Sequence, residues 1–309
     1  MTKTNNAKAH IYLLLAACMW GLMSPIGKAA MDAGITGLIL ANMRMLGGAI
    51  CFWITSIFVK SEDVPPRDLL MMFFASMLGI VCNQGCFTFG LSLTSPVDAS
   101  IITTTMPIFT LILAALFLKE PITPLKLGGL FMGSIGALLL ILSSSNSNGK
   151  AGNIWGDLLC MTSQISFACY LTIFKKLITK YSVFTLMKWM FTYAAIAFIP
   201  FSYNDVVATN FASFSIDVWF EVGFVVVFAT YVAYICMISG QKALRPTVVS
   251  MYNYVQPVVG SSVAIWLGMS DFGWLKAFAA LLIFAGVYAV TQSKSRAQML
   301  AEKGIKDEA

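Results

Sequence analysis

The chain has 309 residues, 58% apolar and only 11% charged, with a formal net charge of +6 and a mean hydropathy of +0.80. Soluble domains are about one quarter charged, so these values exclude an ordinary cytosolic enzyme, which could not cover its surface with so few ionisable side chains. Apolar runs of roughly twenty residues exclude a β-barrel, whose strands alternate over about ten, and point to membrane-crossing helices.

In chain order, apolar runs bounded by charge, Pro, Gly or Asn predict ten spans. The first five are Ile11 to Met31, Thr36 to Val59, Leu69 to Gly90, Val97 to Leu118 and Leu125 to Ser143. The second five are Ile154 to Phe174, Val183 to Pro200, Ile216 to Ile238, Val248 to Leu267 and Gly273 to Thr291. Each is near the length that crosses about 30 Å of hydrocarbon. The fold class expected is an all-α membrane protein, with a first five-helix repeat over 1–143, a linker over 144–153, a second repeat over 154–293 and a tail over 294–309. The first span carries Trp20, Gly21 and Pro25 and lacks a small-residue cleavage pattern, so it is expected to be retained. Cys18, Cys51, Cys82, Cys86, Cys160, Cys169 and Cys236 lie inside apolar runs at spacings unlike any metal motif, and read as small hydrophobes.

Basic residues in short loops favour the cytoplasmic side. With the N-terminus inside, that side collects Lys3, Lys8, Lys60, Arg67, Lys119, Lys126, Lys175, Lys176, Lys180, Lys242, Arg245, Lys294, Arg296, Lys303 and Lys306, while the other has only Lys28, Lys150 and Lys276. Both termini are therefore expected in the cytoplasm, and the positive charge is topological; no nucleic-acid partner is expected. The halves also resemble each other. Pro96 and Pro107 are spaced like Pro246 and Pro257, which sets Ser100 on Ser250 and Gly136 on Gly286. Trp20-Gly21 and Lys28 match Phe167-Ala168 and Lys175, and Arg44 meets Lys188. An odd number of spans per half inverts the second copy, as in secondary transporters whose site lies where the halves meet. Gly47-Gly48 and the row Gly129, Gly133, Gly136 allow close helix packing.

Three stretches carry a family likeness: Ala17-Cys18-Met19-Trp20-Gly21 with Lys28 and Arg44; Thr94 through Pro107, followed by Leu118-Lys119-Glu120-Pro121; and Ala243-Leu244-Arg245-Pro246 leading to Gln256-Pro257 and Gly286. On these the chain resembles the drug/metabolite transporter superfamily, in its ten-span EamA branch, from Ile11 to Thr291. The resemblance implies export of amino acids or related small metabolites, with nucleotide-sugar exchange as the cargo of some relatives. The second copy departs from the pattern at Ser270-Asp271, where Glu120-Pro121 stands in the first. Glu120 is therefore expected to act locally, neutralised by Lys119 and Lys126.

Charge within a membrane faces protein or a water-filled cavity, so Arg44 and Lys188 are read as gating or structural residues, with contact to an anionic substrate group or snorkelling to the interface left open. Asp98, Asp157, Asp217 and Glu221 stand near helix starts, and none is central enough for a simple proton relay. His10 reads as an interfacial residue. Buried amides need partners, and Asn83, Gln84, Gln164, Asn253 and Gln256 are expected to bond between helices or to line a cavity. Trp20, Phe87, Tyr170, Tyr231, Tyr234, Tyr252 and Tyr254 supply an aromatic wall suited to a small amphipathic cargo. The substrate-binding set expected is Trp20, Asn83, Gln84, Phe87, Gln164, Tyr170, Tyr234, Asn253 and Gln256, with Pro107 and Pro257 as paired hinges.

The chain contains no GxxxxGK[ST] motif, and a single His with scattered acids does not suit a membrane enzyme. The expected job is secondary transport in a bacterial inner membrane by alternating access, without a cofactor or metal, by a monomer or weak homodimer. Its partners would be a small-molecule substrate and the lipid bilayer, with proton coupling left open. A sugar or nucleotide-sugar carrier, or a channel or scaffold, is the alternative.

Overall fold

In the computed structural model, which describes residues 3–94, 96–144, 153–266, 273–294 and 298–299, helix boundaries follow the turn chemistry of the sequence. α1 (Lys3–Asp32) ends just before Gly34, whose φ of +110° suits a residue without a Cβ. Thr36 then caps α2 (Gly37–Ile57) by accepting from the Ile39 N–H. α3 (Pro66–Ser76) opens on a proline, widens into a π-helical segment over Met77–Gly85 and resumes as α4 (Cys86–Leu93). α5 (Pro96–Thr103) and α6 (Met106–Phe117) are two pieces separated by Thr104 and Thr105, and α7 (Pro124–Ser144) again starts on a proline.

The second half follows a similar order. Asn153 caps α8 (Ile154–Ile173), the short α9 (Lys175–Lys180) follows, and Ser182 caps α10 (Val183–Ala208). α11 (Ile216–Val226) widens into a second π-helical segment over Val227–Val232 and continues as α12 (Ala233–Ala243). α13 (Pro246–Met251) and α14 (Val255–Trp266) are divided by a tight turn over Tyr252–Tyr254, and α15 (Trp274–Gln292) closes the order. No strand occurs among the described residues.

Among those residues, seven helical stretches are long and apolar enough to cross a membrane: Asn6–Asp32, Gly37–Ile57, Pro66–Leu91, Pro124–Leu142, Val183–Ala208, Ile216–Ala243 and Trp274–Gln292. The continuous spans expected at 97–118 and 248–267 are instead broken in two, and α8 is diluted by Asp157, Ser163, Gln164 and Ser166. Both breaks fall in the turn just before Pro107 and Pro257, the stretch that a proline disrupts. Each sits in the first turn of the helical piece that follows. The chain is a multi-pass membrane protein. Side chains such as Phe58, Leu116, Phe131, Phe220 and Leu281 form outward apolar faces that lipid covers.

Small residues let the two halves pack closely. On α7 and α15, a Cβ at Gly129 would stand 2.7 Å from the Gly286 carbonyl oxygen, and one at Gly136 would stand 2.7 Å from that of Ala279. A Cβ at Gly90 on α4 would stand 2.8 Å from the Gly156 carbonyl oxygen on α8, and one at Gly240 on α12 would stand 3.0 Å from that of Ala9 on α1. α2 and α10 cross where Phe191 fills the space over Gly48, with Phe52 stacked 5.4 Å away.

Candidate functional site

The second π-helical segment builds one wall of the site. The Ala233 N–H reaches back to the Phe228 carbonyl, so the Ala229 carbonyl lacks the donor an α-helix would give it. Two side chains from the first half use it: Trp20 Nε1 donates at 3.0 Å, and an Arg44 terminal nitrogen at 3.5 Å. Arg44 Nε also donates to Thr230 Oγ1 at 2.9 Å, and Thr230 donates to the Val225 carbonyl at 2.9 Å. One turn further on, the Tyr234 hydroxyl accepts from Gln84 Nε2 at 2.7 Å. Gln84 belongs to the first π-helical segment, as does Asn83, whose amide donates to the Ser163 carbonyl and hydroxyl at 3.2 and 3.1 Å.

These groups surround a cavity of about 380 Å³, within the range of about 300–1,000 Å³ for small-molecule sites. Trp20, Asn83, Gln84, Phe87, Gln164, Tyr234, Asn253 and Gln256 all line it, joined by Arg44 and Pro257. Across its floor the Trp20 and Phe167 rings meet edge to face at 6.5 Å. Beyond them and Asn253 lies a separate void of about 10 Å³ against Leu13, Met106 and Tyr252. From that floor the cavity runs along α1 toward Met31, along α4 to Leu91 and along α14 to Ser261. Among the described residues none of those lining the cavity is acidic, and none places a carboxylate within ion-pair distance of Arg44.

Other expected residues lie elsewhere. Tyr170 is fully buried outside the wall, its ring stacked on Phe167 at 5.6 Å and pressed on Gly79, because the glycine leaves room that an aromatic ring fills. Pro107 is buried at the start of α6, also outside the wall. Lys188 stands 4.8 Å over the Trp53 ring, so the matched cations Arg44 and Lys188 have different surroundings. Tyr231, Tyr252 and Tyr254 leave the expected aromatic wall because Thr55, His10 and Ser134 take their hydroxyls at 2.5, 2.7 and 2.7 Å. His10 is a half-buried partner of Tyr252. Asp157 accepts from Thr94 at 2.5 Å, and Asp217 and Glu221 are absent from the wall. The side chains of Lys28, Pro96, Asp98 and Ser100, and the pair Ser270-Asp271, lie outside the described residues. Phe167, Ser163 and Thr88 line the cavity without having been singled out as cargo residues; the match of Phe167 to Trp20 was the signal available for the first.

The opposite end is basic and closed. Lys119 has φ +52°, a turn that swings Glu120 inward. There Lys126 donates to it at 2.9 Å, as does Thr247 from the second half. Lys175 donates to the Gln241 carbonyl and, at 2.8 Å, to that of Leu244; Lys242 donates to the Tyr181 carbonyl. Burial pushes the Lys175 amine down to about 8, against the pull of Glu120. Arg245 donates to the Ser293 carbonyl at 2.8 Å. Glu62 accepts the Ser182 N–H at 2.9 Å; desolvation opposes its charge, but bonds from Thr185 and Ser182 and the nearby Lys242 hold it below the usual carboxylate range.

Residues 7–142 and 154–292 match the EamA-like transporter family. Among similar proteins, an uncharacterized transporter of Archaeoglobus fulgidus is 30% identical over 63% of this chain and 67% of its own length. The uncharacterized transporter YyaM of Bacillus subtilis is 24% identical over 88% and 86%, and the uncharacterized inner membrane transporter YedA of Escherichia coli is 24% identical over 81% and 82%. A solved crystal structure shares the fold at a TM-score of 0.76 with 14% identity, covering 92% of this chain and 98% of that one.

Proposed function

The chain belongs to the EamA-like transporter family, and we propose that within it this protein is a secondary carrier exporting amino acids or related small amphipathic metabolites by alternating access. The observation that carries the reading is the cavity. Both halves contribute its walls, five side-chain amides and several aromatic rings line it, and it is floored by Trp20 and Phe167. Amides and rings suit a cargo with a polar head and an apolar body. The expected set Trp20, Asn83, Gln84, Phe87, Gln164, Tyr234, Asn253 and Gln256 forms the cargo site in this reading.

Ten crossings in two inverted five-helix repeats account for the packing. Counting α8 and the broken pairs α5–α6 and α13–α14 as crossings extends the seven long stretches to ten. Gly90 packs on Gly156 and Cys160 much as Gly240 packs on Ala9 and Leu13, and the first contact stands at the far end from the second. Gly129 meets Gly286 while Gly136 meets Ala279, a reciprocal pairing expected across a two-fold axis. With both termini in the cytoplasm of a cell bounded by an inner membrane, the basic end faces inward and the cavity opens outward.

Uptake and counterflow in proteoliposomes, with labelled amino acids, sugars and nucleotide sugars and with and without a pH gradient, test this reading. Saturable amino-acid counterflow that Gln84→Ala or Gln256→Ala abolishes is the expected result. Counterflow of sugars alone, or of nothing in the panel, would remove the proposed cargo.

A further inference from the structure

We propose that the cavity selects cargo bearing one anionic group, a carboxylate, which pairs with Arg44; this rests on the reading of the cavity as the cargo site. Arg44 is only 5% exposed, and its neighbours are the neutral oxygens of Thr230 and Ala229. A guanidinium has five N–H donors in a fork that matches a carboxylate. Those two bonds leave donors available on the cavity side, where Arg44 forms part of the wall. Buried charge in a membrane protein pairs with an opposite charge or with backbone carbonyls, or faces a water-filled cavity; Lys126 meets Glu120 at 2.9 Å, while Arg44 faces the cavity. For Arg44 the missing partner is the cargo.

The surroundings specify that partner further. Trp20 shares the Ala229 carbonyl with Arg44 and so holds an indole edge beside the cation. Gln84 hangs on Tyr234, one turn from Thr230 where Arg44 is anchored, and its Oε1 is buried without a hydrogen-bond partner. That oxygen is an acceptor awaiting a donor next to the carboxylate, such as an ammonium or a hydroxyl. One cation among the described lining residues favours one negative charge, and it repels a purely cationic cargo.

The test uses the full chain in lipid nanodiscs with L-phenylalanine, 3-phenylpropionate, 4-methylpentanoate, phenethylamine and L-phenylalaninamide as probes, read as ligand-induced melting shifts. The carboxylate probes should stabilise the protein and the amine and the amide should not. Arg44→Gln should weaken carboxylate binding about ten- to a hundredfold, the loss of a charge-assisted bond, and Arg44→Lys should retain part of it. Removing a buried, unpaired charge should leave the unliganded melting temperature of Arg44→Met unchanged or raised. Equal binding of the amine, unchanged binding in Arg44→Gln, no binding of any carboxylate probe, or a lowered melting temperature with binding intact would each overturn the proposal. Carboxylate binding that depends on Arg44 without amino-acid counterflow would sink the amino-acid reading alone. Amino-acid counterflow undisturbed in Arg44→Gln would sink this inference alone.

Discussion

The two ends of the molecule handle buried charge in opposite ways. At the basic end Lys126 lies against Glu120, which also accepts from Thr247, and Lys175, Lys242 and Arg245 donate to backbone carbonyls. In the cavity Arg44 leans on one hydroxyl and one carbonyl, and Gln84 keeps an oxygen without a donor. Each of these cations at the basic end meets a carboxylate or backbone carbonyls, although the buried Gln241 side-chain amide there lacks a hydrogen-bond partner. The cavity cation, in contrast, has neutral oxygens alone and faces an open space. The same contrast separates a structural ion pair from a recognition group, although both are buried polar clusters.

The largest expected effect comes from unpairing the closed end. Glu120→Ala should cost about 3–5 kcal/mol, because it strands the buried Lys126 ammonium, and thermal unfolding in detergent would read the loss. The double variant Glu120→Ala, Lys126→Met should recover most of it; no recovery would mean that Thr247, not charge, is what Glu120 holds. Gly90→Val and Gly240→Val come next, at about 1–3 kcal/mol each, since a side chain would have to displace helix backbone. Similar losses at the two ends would sharpen their equivalence, and tolerance at one end would break it.

Trp20→Phe keeps a ring at the cavity floor and removes the donor to Ala229. About 1 kcal/mol of stability should go with that bond, accompanied by weaker cargo binding as the Arg44 anchor loosens; unchanged binding would show that the indole is packing alone. A smaller effect concerns pH. The Lys175 amine lies at about 8 in the folded protein against an ordinary 10.5, so between those values the unfolded chain binds more protons and stability rises with pH. Below about 8 both states are protonated and the burial penalty is constant. The melting temperature should therefore climb from pH 8 to 10 relative to Lys175→Met, and a flat difference would mean that the amine is hydrated. Least affected should be Glu62→Gln. Glu62 is held below its usual range, so its contribution is present at neutral pH and disappears as pH falls through the lowered value. Parallel acid limbs for the variant and the parent protein would show that the Ser182 contact contributes nothing.

Much of the cavity was legible because amides and a lone arginine are conspicuous in apolar runs. Asn83, Gln84, Gln164, Asn253 and Gln256 stand out on solvation grounds alone, and all five line the cavity. Tyrosines were harder to read. Tyr170, Tyr231, Tyr252 and Tyr254 have the same composition and depth as Tyr234, and only the identity of each neighbour in space, Gly79, Thr55, His10 or Ser134, separates packing from lining. Both π-helical segments were invisible as well, since one extra residue in a turn leaves an apolar run looking like any other. Glu120 was placed with Lys126 from its neighbours in sequence, but its bond to Thr247 comes from a residue more than a hundred positions away.

By itself the sequence determined the solvent of this protein, its helical class and its family, because those follow from composition, run length and short motifs that no packing can alter. Tertiary structure decided which polar groups spend their hydrogen bonds on each other and which face the cavity. That outcome depends on where helices cross, as at the Ala229 carbonyl that Trp20 and Arg44 share, and crossings are set by contacts between residues far apart in the chain.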